Sequence, residues 1–125
     1  MRMLIVEDSP EIVEAVSLCL QSRWPDIEID VSASGLRGIE MVRKQPYDCI
    51  ILDIGLPDVD GFQVLEVARQ STSAPVVIVT ARGREADMVR GKQMGAADYI
   101  AKPFRARELV QRIGVILEAK KKGPA

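Results

Sequence analysis

Residues 52–61 read LDIGLPDVDG, a stretch that holds three carboxylates, Asp53, Asp58 and Asp60. An acidic pair, Glu7-Asp8, follows the apolar run at residues 3–6. A hydroxyl and an ammonium stand in comparable places further on: Thr80 follows VVIV, and Lys102-Pro103 follows DYIA. Carboxylates gathered in one crevice repel, each pair ~4 Å apart costing on the order of 4 kcal/mol at an effective dielectric of about 20. Lys102 offsets one such charge, and a divalent cation would offset the rest. Few, hard oxygen ligands suit Mg2+ (or Mn2+), which keeps several of its waters. A metal, a lysine and a hydroxyl side by side can bind the oxygens of a phosphoryl group. An aspartate among them can act as nucleophile and carry that group as an aspartyl phosphate. The chain has no histidine. That excludes a Ser-His-Asp or Cys-His centre, a histidine-ligated metal and a phosphohistidine on this chain.

These residues act together only if folding brings them together, and the elements around them predict that it does. Residues 3–6, 49–52 and 76–79 are short β-branched runs of the kind buried on both faces of a sheet. Residues 27–32 alternate strictly, as a strand with one wet face does, and residues 98–101 are short and mixed. Both belong at sheet edges. Helical patterns lie between: Ser9 and Pro10 open a helix with Ile12, Val13, Val16 and Leu20 on one face. Leu36, Ile39 and Val42 form a second stripe that ends before Pro46. Residues 61–70 carry Val64, Leu65 and Ala68. Residues 84–94 are weakly patterned, with Ala86 and Val89 as the stripe, and residues 105–120 carry Leu109, Val110, Ile113, Ile116 and Leu117. Strands alternating with helices predict an α/β, doubly wound, five-stranded parallel sheet of order 2-1-3-4-5, flavodoxin-like, with helices on both faces. Such a sheet binds ligands beyond its carboxyl edge, at the switch between strands one and three. Glu7-Asp8, Asp53, Thr80 and Lys102 all fall on that edge.

The bulk numbers agree with one globular domain. The chain has 125 residues, 47% hydrophobic and 28% charged, enough for a sizeable core. A net charge of −1 leaves no basic field for nucleic acid or an anionic membrane. Cys19 and Cys49 sit in apolar stretches as free thiols suited to a reducing cytoplasm. No stretch nears the ~18–20 apolar residues of a membrane span, and MRMLIVEDS turns acidic too soon for a signal peptide. Each site residue has an ordinary use taken singly. Glu7-Asp8 would suit the start of a helix, Thr80 a strand end and Lys102 a solvated surface. Asp53 is different, because an unpaired carboxylate closing an apolar strand is costly.

An acidic pair after strand one, Asp after strand three, Thr after strand four and Lys-Pro after strand five, in that order, resemble a response-regulator receiver domain over residues 2–119. The resemblance implies that Asp53 accepts a phosphoryl group from the phosphohistidine of a sensor histidine kinase or phosphotransfer protein. Asp8, Asp53 and the backbone carbonyl of Gly55 would ligate Mg2+ directly, and Glu7 would act through water. Thr80 and Lys102 would hold phosphoryl oxygens, Lys102-Pro103 would be cis, and Ala81 would leave the approach open. Thr80 and Tyr99 would form the switch, with Gly83 and the weakly patterned fourth helix free to move. Gly55 and Arg82 flank the site and would tune the phosphoryl lifetime. The last third further resembles the branch that carries a winged-helix DNA-binding domain. There Asp98, Glu108 and Arg112 would form the face of a phosphorylation-dependent homodimer. The usual basic partner of Glu108 falls at Met88, so that pair needs Arg90 instead. The implied protein is a cytoplasmic signalling module without substrate turnover of its own. Residues 1–119 would be the domain and 120–125 a linker or tail. Its output is a DNA-binding domain outside this chain, or else the chain is a stand-alone phosphorelay shuttle.

Three rival chemistries use similar letters. Asp58-Val59-Asp60-Gly61 matches the D-x-D-G of haloacid-dehalogenase-like phosphohydrolases, but Pro57 parts it from the strand and Phe62 stands where that family has Thr. As a calcium loop, counting from Asp58, it puts Arg69 where the twelfth-position Glu belongs. A nucleotide-binding flavodoxin-like protein needs a glycine-rich phosphate loop, which is absent. On this reading Pro57–Gly61 is turn vocabulary, and Asp60 serves the start of helix three.

Overall fold

A computed structural model describes residues 1–122. In chain order the elements are β1 (Arg2–Val6), α1 (Pro10–Arg23), β2 (Glu28–Ser32), α2 (Gly35–Lys44), β3 (Cys49–Leu52), α3 (Gly61–Ser71), β4 (Val76–Thr80), α4 (Glu85–Gln93), β5 (Asp98–Ala101) and α5 (Ala106–Lys122). All strand pairs are parallel and the sheet order is β2-β1-β3-β4-β5, as the alternation of elements predicts. No helix among the described residues is long and apolar enough to cross a membrane. The boundary expected at residue 119 lies inside α5, whose helical backbone runs on to Lys122, and Lys120 Nζ donates to the Ser73 carbonyl at 2.8 Å. Residues 123–125 of the expected tail lie outside the described residues.

The period-two alternation of the strands divides the core. Leu4, Val6, Ile50, Leu52, Val76 and Ile78 point to one face, where Val42, Phe62, Val64, Leu65 and Ala68 cover them. Met3, Ile5, Cys49, Ile51, Val77 and Val79 point to the other, under Val16, Leu20, Leu109 and Ile113. Burial on both faces explains why β1, β3 and β4 read as unbroken apolar runs. Helix starts follow local chemistry. Ser9 accepts the Ile12 N–H at 3.4 Å ahead of Pro10, Ser34 accepts that of Arg37 at 3.2 Å, and Asp60 accepts that of Phe62 at 2.9 Å.

Three expected faces are corrected. In β2, Val31 is 43% exposed, while Asp30 is half-buried because the buried Tyr47 donates its hydroxyl to it at 2.7 Å. In α2, Leu36 is 57% exposed and the covered positions are Gly35, Gly38 and Val42. A Cβ at Gly38 would stand 3.0 Å from Val6 Cγ2, so the missing side chain is what lets this helix lie on β1. In α4, Ala86 and Val89 face outward. The inward side is Gly91 with half-buried Asp87 and Met88.

Candidate functional site

The strand register delivers the predicted residues to one edge. Val6 pairs with Leu52, and the ladder continues one step further: Asp53 N–H donates to the Val6 carbonyl at 2.9 Å and Glu7 N–H to that of Ser32 at 2.9 Å. On the other side Lys102 N–H donates to the Thr80 carbonyl at 2.8 Å. Backbone pairing therefore sets Glu7, Asp53, Thr80 and Lys102 across neighbouring strand ends, and the Lys102-Pro103 peptide is cis. Glu7, Asp53 and Thr80 are buried, Lys102 is half-buried and Asp8 is exposed.

One oxygen each from Glu7, Asp8 and Asp53 lie within 4.8 Å of one another. Lys102 Nζ bridges two of these groups, 2.7 Å from Glu7 Oε1 and 3.0 Å from Asp53 Oδ2. Asp53 Oδ1 accepts the Gly55 N–H at 2.8 Å, and Glu7 Oε2 accepts that of Ser9 at 3.2 Å. Glu7 Oε1 is sealed from solvent and, despite its ion-pair distance to Lys102, receives no aligned hydrogen bond. Burial pushes the Glu7 carboxyl above its ordinary range; Lys102 and the Ser9 N–H pull against this without cancelling it, and Asp53 adds to the rise. Burial alone would lower the Lys102 pKa, but hydrogen bonds and charge from Glu7 and Asp53 reverse the sign and hold it above the usual lysine value. Three carboxylates facing one ammonium leave two negative charges, and one buried oxygen lacks a donor. That donor set fits a hard divalent cation bound by oxygen.

The phosphoryl side of the pocket is also assembled. A Cβ on Gly55 would lie 3.4 Å from Asp53 Oδ1 and 3.6 Å from Thr80 Oγ1, so the Asp53 carboxylate and the Thr80 hydroxyl border the same space, which glycine leaves open. Tyr99 is buried, and its hydroxyl donates to the Arg82 carbonyl. Burial raises its pKa, with Asp87 adding to the shift. Beside Lys102 a cavity of about 490 Å³ opens along α1, lined by Ile12, Ala15, Ala81 and Phe104 among others, and the Ala81 methyl leaves that side clear.

The remaining candidates separate by location. Asp60 caps α3 as expected. Asp58 has a role that sequence reasoning missed: Oδ1 accepts Gly35 N–H at 3.0 Å, and Oδ2 accepts Leu36 N–H at 3.0 Å and the Ser34 hydroxyl at 2.9 Å. It is a second cap for α2, supplied from a distant loop, and these donors hold its pKa down at about 2. The phosphohydrolase reading would need Asp58 and Asp60 as nucleophile and acid, yet both are engaged at helix starts. On the expected dimer face, Arg112 lies 3.3 Å from Asp98 and 3.2 Å from Glu108 of its own chain, because the start of β5 abuts the second turn of α5. Arg90, the expected stand-in at that face, stacks on the Phe62 ring at 4.0 Å.

Known proteins are similar to this chain in sequence and in fold. The family model described as response regulator receiver domain matches residues 3–114. The chain is 37% identical over 114 residues to Response regulator ArlR of Staphylococcus epidermidis, an alignment covering 91% of this chain and 51% of that protein. It is equally identical, at 37%, to Transcriptional regulatory protein SrrA of Staphylococcus aureus, covering 91% of this chain and 46% of that one. It thus spans about half the length of these relatives. Among solved structures, a CheY-like receiver domain protein of Methanospirillum hungatei superposes with a TM-score of 0.89 at 27% identity, covering 98% of each chain. The receiver domain of sensor histidine kinase PA1611 of Pseudomonas aeruginosa, described with a magnesium ion coordinated in its active-site cleft, gives 0.81 at 27% identity over 94% of this chain and 98% of that one. With the family model matching most of its length, and this acidic edge in place, the chain belongs to the response regulator receiver domain family.

Proposed function

We propose that the chain is the phosphoacceptor module of a two-component system and that Asp53 is the acceptor. The carrying observation is the pocket itself: three carboxylates within 4.8 Å, with Lys102 bridging Glu7 and Asp53. A carboxylate oxygen of Asp53 attacks phosphorus, the bond from phosphorus to the donor imidazole nitrogen breaks, and the electron pair leaves with the imidazole of a histidine kinase or phosphotransfer protein. Asp8, Asp53 and the Gly55 carbonyl would hold Mg2+, with Glu7 acting through a water. The ion when bound supplies charge neutralisation to the incoming phosphoryl oxygens. Lys102 pairs with one phosphoryl oxygen and the Thr80 hydroxyl donates to another. Thr80 and Tyr99 then pass the change to the face formed by α4, β5 and α5, where Asp98, Glu108 and Arg112 would exchange their pairs within the chain for pairs across a homodimer.

The names of the longer relatives, a response regulator and a transcriptional regulatory protein, support a DNA-binding output domain outside this chain. A stand-alone cytoplasmic phosphorelay shuttle is the second reading, favoured by the structural likeness to a receiver domain protein covered over 98% of its length. The module turns over no substrate of its own. Incubation with acetyl phosphate and Mg2+, read by intact mass, tests the assignment. Wild-type protein gains one phosphoryl group, whereas Asp53→Asn and protein kept in chelator gain none. Hydrolysis of a phosphate monoester that survives Asp53→Asn would replace this reading with the phosphohydrolase one.

A further inference from the structure

Arg82 follows Ala81 in the loop between β4 and α4, and its backbone and side chain are engaged in four directions. Its N–H donates to Thr80 Oγ1 at 3.2 Å, and its carbonyl accepts the hydroxyl of buried Tyr99. Its guanidinium lies 3.4 Å from Asp87 Oδ1 in the first turn of α4 and 4.0 Å from Asp60 Oδ1 at the N-cap of α3. Between those carboxylates it stands 5.5 Å from the centre of the Phe62 ring, which Arg90 stacks on at 4.0 Å.

Helix α4 has few other ties at this end. Arg84 at its N-cap makes no side-chain capping bond, and its one buried residue is Gly91. The Asp87 side chain is only 14% exposed, and its Oδ2 has no hydrogen-bond partner. Without Arg82, that carboxylate would stand nearly buried with no cation within ion-pair reach among the described residues. One residue thus meets the hydroxyl beside Asp53, the aromatic hydroxyl of β5 and the start of the weakly held helix.

We propose that Arg82 is a positioning residue that couples the phosphoryl site to α4. Its peptide groups follow the Thr80 and Tyr99 hydroxyls, and its guanidinium carries that displacement to Asp87. The inference rests on the reading of Asp53 as the phosphoryl acceptor. Drawing the Thr80 hydroxyl toward a phosphoryl oxygen moves the amide that donates to it, and hence the rest of Arg82. A pair that merely stabilised the fold would be indifferent to that event.

The test uses the full chain as wild type, Arg82→Met, Asp87→Asn and the double variant. Each is melted to establish folding, treated with acetyl phosphate and Mg2+, weighed intact, and followed by amide hydrogen exchange before and after phosphorylation. All four gain one phosphoryl group. In the resting state both single variants exchange amides of the first turns of α4 at least about fivefold faster than wild type, while α2 is unchanged. The double variant is no faster than the singles, since both remove the same pair. Phosphorylation alters α4 exchange in wild type, and this response is lost in the variants although Asp53 is occupied. Exchange in α4 within about twofold of wild type, or α2 and α4 accelerating together, would overturn the coupling. So would an intact response to phosphorylation in Arg82→Met. Wild-type protein that gains no mass would instead refute the acceptor reading and remove the coupling with it.

Discussion

Gly61 opens α3 directly against the backbone that carries Asp53, and its replacement by alanine gives a sharp test of how the site is held. A Cβ there would lie 2.1 Å from Ile54 Cα, 2.7 Å from Ile54 Cβ and 2.8 Å from Ile54 Cγ2. Carbon atoms in contact rest at about 3.5–4.0 Å, so the helix start and the loop must part by more than an ångström. The nearest obstacle is backbone, which no side-chain rotation can clear. The separation also strains the bond from Gly61 N–H to the Ile54 carbonyl, 3.1 Å long. Overpacking of this kind costs about 1–3 kcal/mol, while Gly→Ala in a helix returns about 0.4–1 kcal/mol through the unfolded chain. The clash wins, and the net loss is about 1.3 kcal/mol, or about 5 °C in Tm for a chain of this size. Because Ile54 sits between Asp53 and Gly55, acetyl phosphate should also label Gly61→Ala more slowly at equal folded fraction. Gly114→Ala is the internal control: a Cβ there meets nothing within 4 Å, so the unfolded-state gain stands alone. It should raise Tm by about 2–4 °C. A Gly61→Ala protein melting within about 2 °C of wild type by circular dichroism would refute the argument from close approach.

Three further outcomes follow from the charges. Glu7→Gln should raise Tm at neutral pH in chelator, because the folded state holds this carboxyl above its ordinary pKa and its ionised form weakens the fold. The gain should shrink as pH falls and vanish below about 4.5, where the unfolded chain is protonated as well, and a gain independent of pH would contradict it. Asp58→Ala should destabilise by loosening the start of α2. The folded pKa of Asp58 is lowered from 3.8 to about 2, so its contribution is present above 3.8 and lost as pH falls toward 2. Wild-type and variant urea curves should therefore converge in that window, and parallel curves would count against the cap. Mg2+ at about 100 times its Kd should stabilise the wild type by about 2.7 kcal/mol, and Asp8→Asn should remove most of that gain in a melting titration. An undiminished gain in Asp8→Asn would place the ion elsewhere.

The sheet was legible because its signals are redundant. Short apolar runs rich in β-branched residues and bounded by turn signals fit strands covered on both faces, and parallel pairing then brings the residues just past β1 and β3 to one edge. Glu7, Asp8, Asp53, Thr80 and Lys102 needed nothing more than that register to be placed at one edge. Asp58 was harder to see. Its letters, Pro-Asp-Val-Asp-Gly, are those of a turn, and its partners lie more than twenty positions away, at Ser34, Gly35 and Leu36. Nothing local distinguishes an aspartate that caps a remote helix from one that faces water.

The stripes expected for α1, α3 and α5 face the core, whereas those of α2 and α4 depart from it for a single physical reason. A stripe is read from large apolar side chains, and α2 and α4 turn inward the residues that such a reading discounts. Gly38 is covered because its lack of a side chain admits Val6, and the same approach leaves Leu36 in solvent. In α4 the inward positions are Gly91, against Ile78 and Tyr99, and Asp87, held by Arg82. A glycine and a carboxylate paired with a part-exposed arginine contribute far less hydrophobic stability than buried leucines would, so this helix is anchored by geometry and charge more than by transferred area. A helix held that way can be released by altering one charge contact, whereas a leucine-lined helix would have to surrender several kilocalories of burial. The weak apolar pattern of residues 84–94 is therefore what the proposed coupling through Arg82 requires, and on that proposal the inward face of Asp87 marks where release of α4 would begin.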